Sequence, residues 1–436
     1  MLTTNRMVAS LLLAVPLLTV SIATSAAEVT GKIQSIIHSS KVIQYLNPKT
    51  KEVKVLKYTD ETTLLEADSF KDLTVNTKFK AVVDDDNVAT QIKRVLVKLP
   101  PEQVIDTDTL ADLMDEGKPV FIGDARPLSV YNAGHLPTAK ATPSNQLKDH
   151  LDWLPSDKEM LLVFYCGGVT CPLSPAALKI AVAAGHTNVK AYVEGFPAWK
   201  ADVYPAHVAP GWMEKNLDIH HVILDVRENP TSSVKGAVHM PASQLVEQHD
   251  KWNADKFEVA KRTVLGLRDK KAPVIIVADN DDSDEAIESF EILTFWKYKN
   301  AVILQGGMQE WTLAKRPLQT EGLPTELAYE KKMLPGAVEE SVFVTAAKKG
   351  NATIIDVRNP DEVASGHIKG SINIPLSELD EQLAKVPKDG LVILHCEAGA
   401  RAALGYTLLS KKGYTNVKYL NDSFKGVVAD NGISLL

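Results

Sequence analysis

The sequence predicts an α/β protein in which three similar parallel-sheet domains follow a small antiparallel β-barrel. Short stretches alternate between apolar and polar residues from position 28 to about 98, as in strands with one buried face. Beyond residue 101, buried strands alternate with amphipathic helices, which is typical of a parallel sheet covered by helices. One strand-and-loop pattern recurs three times in that second part, and such self-similarity indicates tandem domains.

The composition is that of an ordinary globular protein. Hydrophobic residues make up 45% of the chain and charged residues 24%, with a formal net charge of −7. A length of 436 residues is enough for three or four domains of the commonest size, about 100–150 residues. The acidic balance argues against nucleic acid as a partner, because phosphate binding needs a concentrated basic surface.

Residues 1–27 are predicted to be a signal peptide. Arg6 supplies a positive start, an apolar run covers 7–20, and small residues follow up to a cleavage site after Ala27. A retained membrane anchor is the alternative. The apolar run is short for a span of about 20 apolar residues. The sequence therefore predicts an exported, periplasmic protein with no membrane span after cleavage.

Residues 28–98 are predicted to form the small barrel. Period-two alternation covers 52–58, 78–83 and 89–97, and an acidic turn follows the second of these stretches. The segment resembles the small OB-like barrels of exported bacterial proteins. A structural or docking role is favoured for it, and ligand binding is the alternative.

Three repeats follow the boundary at Leu99–Pro101, and they define domain one (101–205), domain two (206–325) and domain three (335–436). In each repeat an apolar strand ends in Asp-x-Arg; these strands cover 120–126, 222–227 and 353–358. A second buried strand follows in each, at 161–165, 274–277 and 391–395.

The chain has three cysteines, Cys166, Cys171 and Cys396. They cannot all pair with one another, so at least one is free or is joined to another molecule. A disulfide-stapled scaffold would use more cysteines in even numbers. So few cysteines in an exported protein point to reactivity rather than to structure.

In domain three the second strand runs directly into Cys396, and a helix is predicted to begin at about Ala402. A loop between a strand and a helix N-terminus directs successive backbone N–H groups inward, which makes an anion-binding cradle. The positive end of the helix also favours the thiolate form of a cysteine located there. Gly399 allows a tight loop, and Arg401 adds a planar cation suited to an oxyanion.

Further motifs make the resemblance of domain three specific. They are Asp356, Arg358, Glu362, Gly366-His-Ile368, Asn373, Pro375 and the Cys396-x-x-Gly-x-Arg401 loop. Over about 335–420 the chain is similar to a single-domain rhodanese. The resemblance implies that Cys396 takes the outer sulfur of thiosulfate as a persulfide and passes it to a thiol or cyanide.

The same resemblance implies a substrate-binding set and requires no metal or cofactor. The set is the loop that follows the cysteine: Glu397, Ala398, Gly399, Ala400 and Arg401. Phosphatases and arsenate reductases of this fold have a loop one residue longer, so the length favours sulfur transfer over those activities. One departure is that Asn421-Asp-Ser-Phe424 stands where the family has Gly-Gly and then Trp, which predicts an altered pocket rim.

Domain one carries Cys166 and Cys171 on one loop and resembles a rhodanese subgroup with Cys-x-Gly-x-x-Cys. Cys166 aligns with Cys396 as the catalytic cysteine, and Cys171 aligns with Arg401. Cys171 is therefore predicted to be a resolving or relay thiol, and an inert disulfide is the alternative.

Domain two is predicted to be inactive, with aspartate at the position of the cysteine, in the run 278–285. This acidic run lacks the glycine and glutamate that an EF-hand loop needs for calcium. Packing or docking of a protein partner, on domain two or on the barrel, is the favoured role.

The function predicted from the sequence is sulfur transfer from a thiosulfate-like anion to a thiol or cyanide acceptor. Two alternatives of other classes stay open. One is an exported, non-catalytic binding or scaffold protein built from the same domains. The other is a thiol–disulfide redox protein that uses Cys166 and Cys171.

Overall fold

A computed structural model of the chain describes residues 27–38, 41–50 and 53–436. The predicted signal peptide lies outside the described residues, apart from Ala27, which begins the first strand. Export therefore stays a prediction. Within these ranges no helix has both the length and the apolar character that crossing a bilayer requires.

The N-terminal unit is a closed barrel of five strands: β1 (Ala27–Ile37), β2 (Val42–Leu46), β3 (Val53–Leu65), β4 (Lys78–Val83) and β5 (Val88–Arg94). The strand order is β1-β2-β3-β5-β4, and β4 closes the barrel by pairing with β1. The β3–β5 pair is parallel and the other pairs are antiparallel. In β4 the buried Phe79 and Ala81 alternate with exposed lysines, so the period-two pattern fills the barrel interior. The predicted small OB-like barrel is confirmed.

Domain one contains a parallel sheet in the order β7-β6-β8-β9. Its elements are α1 (Thr107–Asp115), β6 (Val120–Asp124), α2 (Leu128–Ala133), β7 (Lys140–Ala141), β8 (Leu161–Tyr165), α3 (Leu173–Ala183), β9 (Val189–Tyr192) and α4 (Gly195–Ala201). Strand β8 is apolar throughout because helices cover both faces of a parallel sheet.

Domain two has a parallel sheet in the order β10-β15-β14-β11-β13, and a separate two-stranded pair, β12 with β16. Its elements are β10 (His207–Val208), α5 (Pro210–Glu214), β11 (Val222–Asp225), β12 (Ser233–Val234), β13 (Val238–His239), α6 (Ala242–Ala254), β14 (Val274–Val277), α7 (Asp284–Phe295), β15 (Ala301–Leu304), α8 (Gly307–Leu313) and β16 (Leu318–Gln319).

Domain three repeats this arrangement in the order β17-β21-β20-β18-β19. Its elements are β17 (Ala337–Val338), α9 (Glu340–Lys349), β18 (Thr353–Asp356), α10 (Pro360–Ala364), β19 (Ile372–Asn373), β20 (Val392–His395), α11 (Ala400–Lys411), β21 (Val417–Leu420) and α12 (Phe424–Asp430). The predicted tandem α/β architecture is therefore confirmed.

The strand register defines equivalent positions in the three sheets. The first strand of each domain ends in an aspartate that pairs with the last residue of the second strand: Asp124 with Tyr165, Asp225 with Val277, and Asp356 with His395. The next residue begins the loop, and it is Cys166, Ala278 or Cys396. The sequence predicts aspartate at this position of domain two. That is wrong by one residue, because the strand pairing puts the buried Ala278 there and Asp279 after it.

The acidic loop of domain two is held by ion pairs within its own domain. Asp279 lies 3.2 Å from the Arg227 guanidinium, and the Asp281 carboxylate lies 3.1 Å from Nδ1 of His207. His207 also exchanges two backbone hydrogen bonds of 2.9 Å with His135 of domain one. The contact between Asp281 and His207 therefore lies beside the backbone bonds that join domains one and two.

Candidate active site in domain three

Cys396 lies at the carboxyl end of the buried strand β20, and its residue is 2% exposed. Helix α11 begins at Ala400, so the intervening loop consists of Glu397, Ala398 and Gly399. Gly399 has a φ of +85°, and a Cβ at this position would lie 2.9 Å from Cα of Asn421. Glycine is required here for both its backbone conformation and its small size.

The loop presents open backbone donors beside the thiol. Among the described residues, the N–H groups of Glu397, Ala398 and Gly399 have no hydrogen-bond acceptor. Their neighbours are the first residues of α11, whose N–H groups have no partner within a helix. An anion bound at this loop would meet several donors at once. The predicted substrate-binding set does lie together around Cys396, and its role stays a prediction.

The loop also contacts α12, through Glu397. The carbonyl of Glu397 accepts a 3.0 Å hydrogen bond from the N–H of Phe424, and the Glu397 carboxylate lies 3.4 Å from the Lys425 ammonium. In domain one the equivalent bond runs from Phe196 to the carbonyl of Cys166 itself. The altered Asn421–Phe424 segment therefore contacts the loop one residue further along.

Arg401 is already paired within the protein. Its guanidinium donates two hydrogen bonds, of 2.5 and 2.7 Å, to the Glu362 carboxylate, and the residue is 2% exposed. Glu362 also caps α10 by accepting the N–H of Asn359 at 3.1 Å. Burial alone would raise the pKa of Glu362, but the hydrogen bond from Arg401 lowers it, so the carboxylate stays ionised.

The guanidinium of Arg401 also makes a hydrogen bond with Cys396. This bond and the one to Glu362 raise the pKa of Arg401, although burial would lower it. Sequence reasoning predicts Arg401 as a cation for an oxyanion and assigns no role to Glu362. A buried arginine needs a carboxylate partner, and that requirement is the signal that could have identified it.

A second buried ion pair lies beneath the loop. The Arg358 guanidinium contacts the Asp356 carboxylate through Nε at 3.0 Å and Nη2 at 2.6 Å, and both residues are almost fully buried. Nη2 also donates to the carbonyl of Gly366 at 2.8 Å, and the guanidinium carbon lies 4.5 Å from the centre of the Phe424 ring. The pair thus connects the end of β18, the Gly366 turn and α12.

His395 is the buried residue immediately before Cys396. Its ring stacks on Phe424 with 4.5 Å between centroids, and its Nε2 lies 3.6 Å from the Asp356 carboxylate. Within the described part of the chain, neither ring nitrogen has a hydrogen-bond partner. Burial lowers the pKa of His395 to about 4; Asp356 opposes this shift, and Arg358 and Arg401 add to it.

This buried histidine predicts acid destabilisation of domain three. The pKa of an unfolded histidine is about 6.5. Below that pH the unfolded chain therefore binds a proton that the folded domain does not bind until about pH 4. The free energy of unfolding should fall as the pH drops from about 6.5 to 4, by roughly 1.4 kcal/mol per pH unit at most. Amide hydrogen exchange in β18 and β20, recorded at several pH values, measures this free energy of unfolding.

The matched variants are His395→Phe and His150→Gln. We expect His395→Phe to flatten the pH dependence in domain three, because the ring stacking is kept and the titrating group is removed. His150 is an exposed residue of domain one, and its substitution should leave that dependence unchanged. An equally steep acid loss in His395→Phe would contradict the prediction.

The domain-one loop differs from that of domain three in length. Helix α3 begins at Leu173, so the loop covers 167–172, compared with 397–399 in domain three. The sequence predicts Cys171 at the position of Arg401, and this stays a prediction. Cys171 lies against Cys166, as Arg401 lies against Cys396, but Cys171 precedes its helix, whereas Arg401 is the second residue of α11. The Ser174 hydroxyl lies 3.2 Å from Sγ of Cys166.

Cys166 and Cys171 are both free thiols in the structure, and Sγ of Cys166 donates to the backbone carbonyl of Cys171 at 3.4 Å. Interaction with the Cys166 side chain, together with the backbone N–H groups of Leu173 and Gly167, lowers the pKa of Cys171. The same pairing and burial raise the pKa of Cys166. Cys171 is therefore the thiol that ionises first in domain one.

The barrel packs on this thiol loop, which sequence reasoning missed. The N–H of Val97 donates to the carbonyl of Val169 at 2.8 Å, and the Thr170 hydroxyl lies 3.5 Å from the carbonyl oxygen of Asn76. No local pattern marks this contact, because it joins segments more than 70 residues apart.

Comparisons with known proteins agree with the repeated fold. The sequence model of one family, described as the rhodanese-like domain, matches residues 106–202, 209–314 and 341–430. Each match lies within one of the three predicted domain ranges, whose exact limits stay a prediction.

Two curated proteins and one solved structure show the extent of the similarity. Thiosulfate sulfurtransferase PspE of Escherichia coli is 38% identical over 92 residues, covering 21% of this chain and 85% of that protein. Sulfur carrier protein TtuD of Thermus thermophilus is 24% identical over 266 residues, covering 50% of this chain and 91% of that protein. A thiosulfate sulfurtransferase structure from Pseudomonas aeruginosa is 17% identical and covers 74% of this chain and 67% of that chain, with a TM-score of 0.22.

Proposed function

Because this chain belongs to the rhodanese family and carries three rhodanese-like domains, we propose that domain three is a sulfurtransferase. The observation that carries the proposal is the position of Cys396. It lies at the end of a buried strand and before a tight loop whose backbone N–H groups have no acceptor among the described residues. It is also in hydrogen-bond contact with Arg401, which Glu362 holds in place. Members of the family at modest identity are named as thiosulfate sulfurtransferases, which supports this reaction class.

In the first half-reaction the Cys396 thiolate attacks the outer sulfur of a thiosulfate-like donor. A Cys396 Sγ–S bond forms, the S–S bond of the donor breaks, and sulfite leaves with the electron pair of that bond. The open N–H groups of 397–399 receive the donor's oxyanion. Arg401, held by Glu362, stabilises the thiolate. Arg401 thereby acts on Cys396 and need not be the donor's main anchor.

In the second half-reaction a thiolate or cyanide attacks the terminal sulfur of the persulfide. The acceptor gains that sulfur as a persulfide or thiocyanate, and the Cys396 thiolate is regenerated. No metal or cofactor enters this cycle. We include export to the periplasm in the proposal, which the apolar segment 7–20 and the small residues after it support.

Intact-mass spectrometry after incubation with thiosulfate tests the proposal. We expect the reduced protein to gain one sulfur atom, about 32 Da, and to release it when cyanide is added. Loss of this gain in Cys396→Ser, with retention in Cys166→Ser, would locate the persulfide in domain three. No gain with any of several donors would favour the binding or scaffold alternative.

A second candidate function, persulfide relay or thiol–disulfide exchange in domain one, is favoured by the two free thiols of Cys166 and Cys171 on one loop, where Sγ of Cys166 contacts the Cys171 backbone. Because its pKa is lowered, Cys171 should react with iodoacetamide at half its maximal rate well below the pH of about 8.5 at which an ordinary thiol does so. Peptide mapping of the alkylated cysteines measures the rate at which each cysteine reacts. Ser174→Ala should leave that midpoint almost unchanged, since Ser174 contacts Cys166. If Cys166 were modified before Cys171, the assignment of Cys171 as the first thiol to ionise would be wrong.

A further inference from the structure

A cleft of about 640 Å³ lies between domains two and three, next to the Cys396 loop. Ala398 of that loop lines it, together with Gly426, Val427 and Asp430 of α12. The opposite wall is the turn Arg268–Lys271 of domain two, which precedes β14. The domain that lacks a cysteine of its own therefore forms part of the surroundings of Cys396.

The altered pocket rim of domain three, which begins at Asn421, forms one edge of this cleft. Asn421, whose backbone lies against Gly399, accepts a 2.9 Å hydrogen bond on its carbonyl from the Lys331 ammonium. Lys331 belongs to the segment between domains two and three, and it also lies 3.1 Å from the Asp422 carboxylate. Asn421 and Asp422, which stand where the family has two glycines, thus hold this connecting segment next to the Cys396 loop.

Three acidic groups in the cleft have hydrogen-bond partners, and among these partners only Lys331 carries a charge. Asp422 is paired with Lys331, the Asp269 carboxylate accepts the Tyr329 hydroxyl at 2.9 Å, and the Glu340 carboxylate accepts the side-chain amide of Asn431 at 2.7 Å. Among the described residues that line the cleft, Asp430 is the acid without such a partner.

Two basic groups of the opposite wall stay available to a ligand. The side chains of Arg268 and Lys271 are exposed, and neither has an ion-pair or hydrogen-bond partner within the described ranges. The neighbouring Lys270 points into domain two, where its ammonium donates to the carbonyl of Arg262 and lies 4.0 Å from the centre of the Tyr298 ring. The domain-two wall therefore offers the two exposed cations Arg268 and Lys271 beside one carboxylate, Asp269, whereas the lining as a whole has equal numbers of basic and acidic residues.

We propose that this cleft is the acceptor site of domain three, and that Arg268 and Lys271 select thiol acceptors that carry a carboxylate. The inference rests on the proposed sulfur transfer and adds the chemical class of the acceptor. The acceptor thiolate attacks the terminal sulfur of the Cys396 persulfide, a new S–S bond forms, and the Cys396 thiolate leaves. The two basic side chains make no bond in this step; they raise the local concentration of the anionic acceptor and orient it.

The test compares two small thiols that differ in charge. Cys396 is loaded with thiosulfate, the excess is removed, and the loss of the extra sulfur is timed with 3-mercaptopropionate or with 2-mercaptoethanol. Arg268→Gln combined with Lys271→Gln should slow the reaction with 3-mercaptopropionate about tenfold, as expected for two exposed ionic contacts. The rate with 2-mercaptoethanol, which carries no carboxylate, should stay within about twofold of the wild type.

The matched control removes the same charge elsewhere. Lys235 and Lys251 are exposed residues of domain two that do not line the cleft, and Lys235→Gln with Lys251→Gln should leave both rates unchanged. An equal effect of the control variant, or an equal effect on both thiols, would overturn the proposal.

A binding measurement keeps this test separate from the proposed function. The unreactive carboxylate 3-(methylthio)propionate is titrated into the full-length protein and followed by saturation-transfer NMR. We expect binding to the wild type and to the control variant, and a loss of about tenfold in the double variant. Unchanged binding in the double variant overturns the cleft assignment whether or not Cys396 loads sulfur. Absence of loading alone counts against the sulfurtransferase proposal.

Discussion

Cys396→Ser is expected to lower thiocyanate formation from thiosulfate and cyanide by on the order of 10⁴-fold or more, as for loss of other covalent nucleophiles. A serine hydroxyl is almost entirely protonated at neutral pH, and the oxygen cannot hold sulfur as a persulfide. The substitution changes one atom of a buried residue at the end of β20, so the fold should persist. Initial rates of thiocyanate formation measure the effect.

Cys166→Ser and Cys171→Ser are the matched controls, because they change the equivalent loop of domain one. If domain three is the sulfurtransferase, both should retain more than half of the wild-type rate. Loss of the activity in Cys166→Ser, with Cys396→Ser unaffected, would move the reaction to domain one. Loss in all three variants would indicate that sulfur passes between the domains.

Asp356→Asn is expected to destabilise domain three by about 3–5 kcal/mol, the usual cost of removing one partner from a buried ion pair. Arg358 is 2% exposed, and its guanidinium would lose the carboxylate that compensates its charge. The bonds from Arg358 to the Gly366 carbonyl and the stacking on Phe424 would not replace that compensation. Urea unfolding with hydrogen exchange resolved by domain measures the loss.

Asp380→Asn is the control for this second prediction. Asp380 pairs with Lys412 at 2.5 Å on the surface of the same domain, with half of its side chain exposed. Its substitution should cost less than about 1 kcal/mol, because exposed ion pairs contribute little. Similar losses in the two variants, or a loss in domain one instead, would show that the Asp356–Arg358 pair is not what stabilises domain three.

Sequence reasoning predicted the barrel and the three α/β domains correctly because their signals are local. Period-two alternation marked β3, β4 and β5 of the barrel, and the repeated Asp-x-Arg at a strand end marked the three sheets. The Cys396 loop was also visible, since a cysteine, a glycine and an arginine within six residues define it. The backbone dictates these features over a few residues, so no distant contact is needed to recognise them.

Spacing in the sequence did not fully align the loops, for a physical reason. Cys171 follows Cys166 by the same number of residues as Arg401 follows Cys396, but the domain-one loop is longer before its helix begins. Equal spacing in sequence therefore gave different positions relative to the helix, because Cys171 precedes α3 and Arg401 lies within α11. The one-residue error at Ala278 has the same origin, because strand pairing and not spacing determines which residue begins the loop.

The sequence by itself determined the family, the domain order and the cysteine to test. Only the tertiary structure decided what surrounds that cysteine. Glu362 reaches Arg401 across 39 residues, and Asn421 lies against Gly399. Arg268 and Lys271 of a cysteine-free domain face the same cleft as Ala398. Such contacts join residues far apart in the chain, and they depend on how whole elements pack, which local periodicity and motif spacing do not specify.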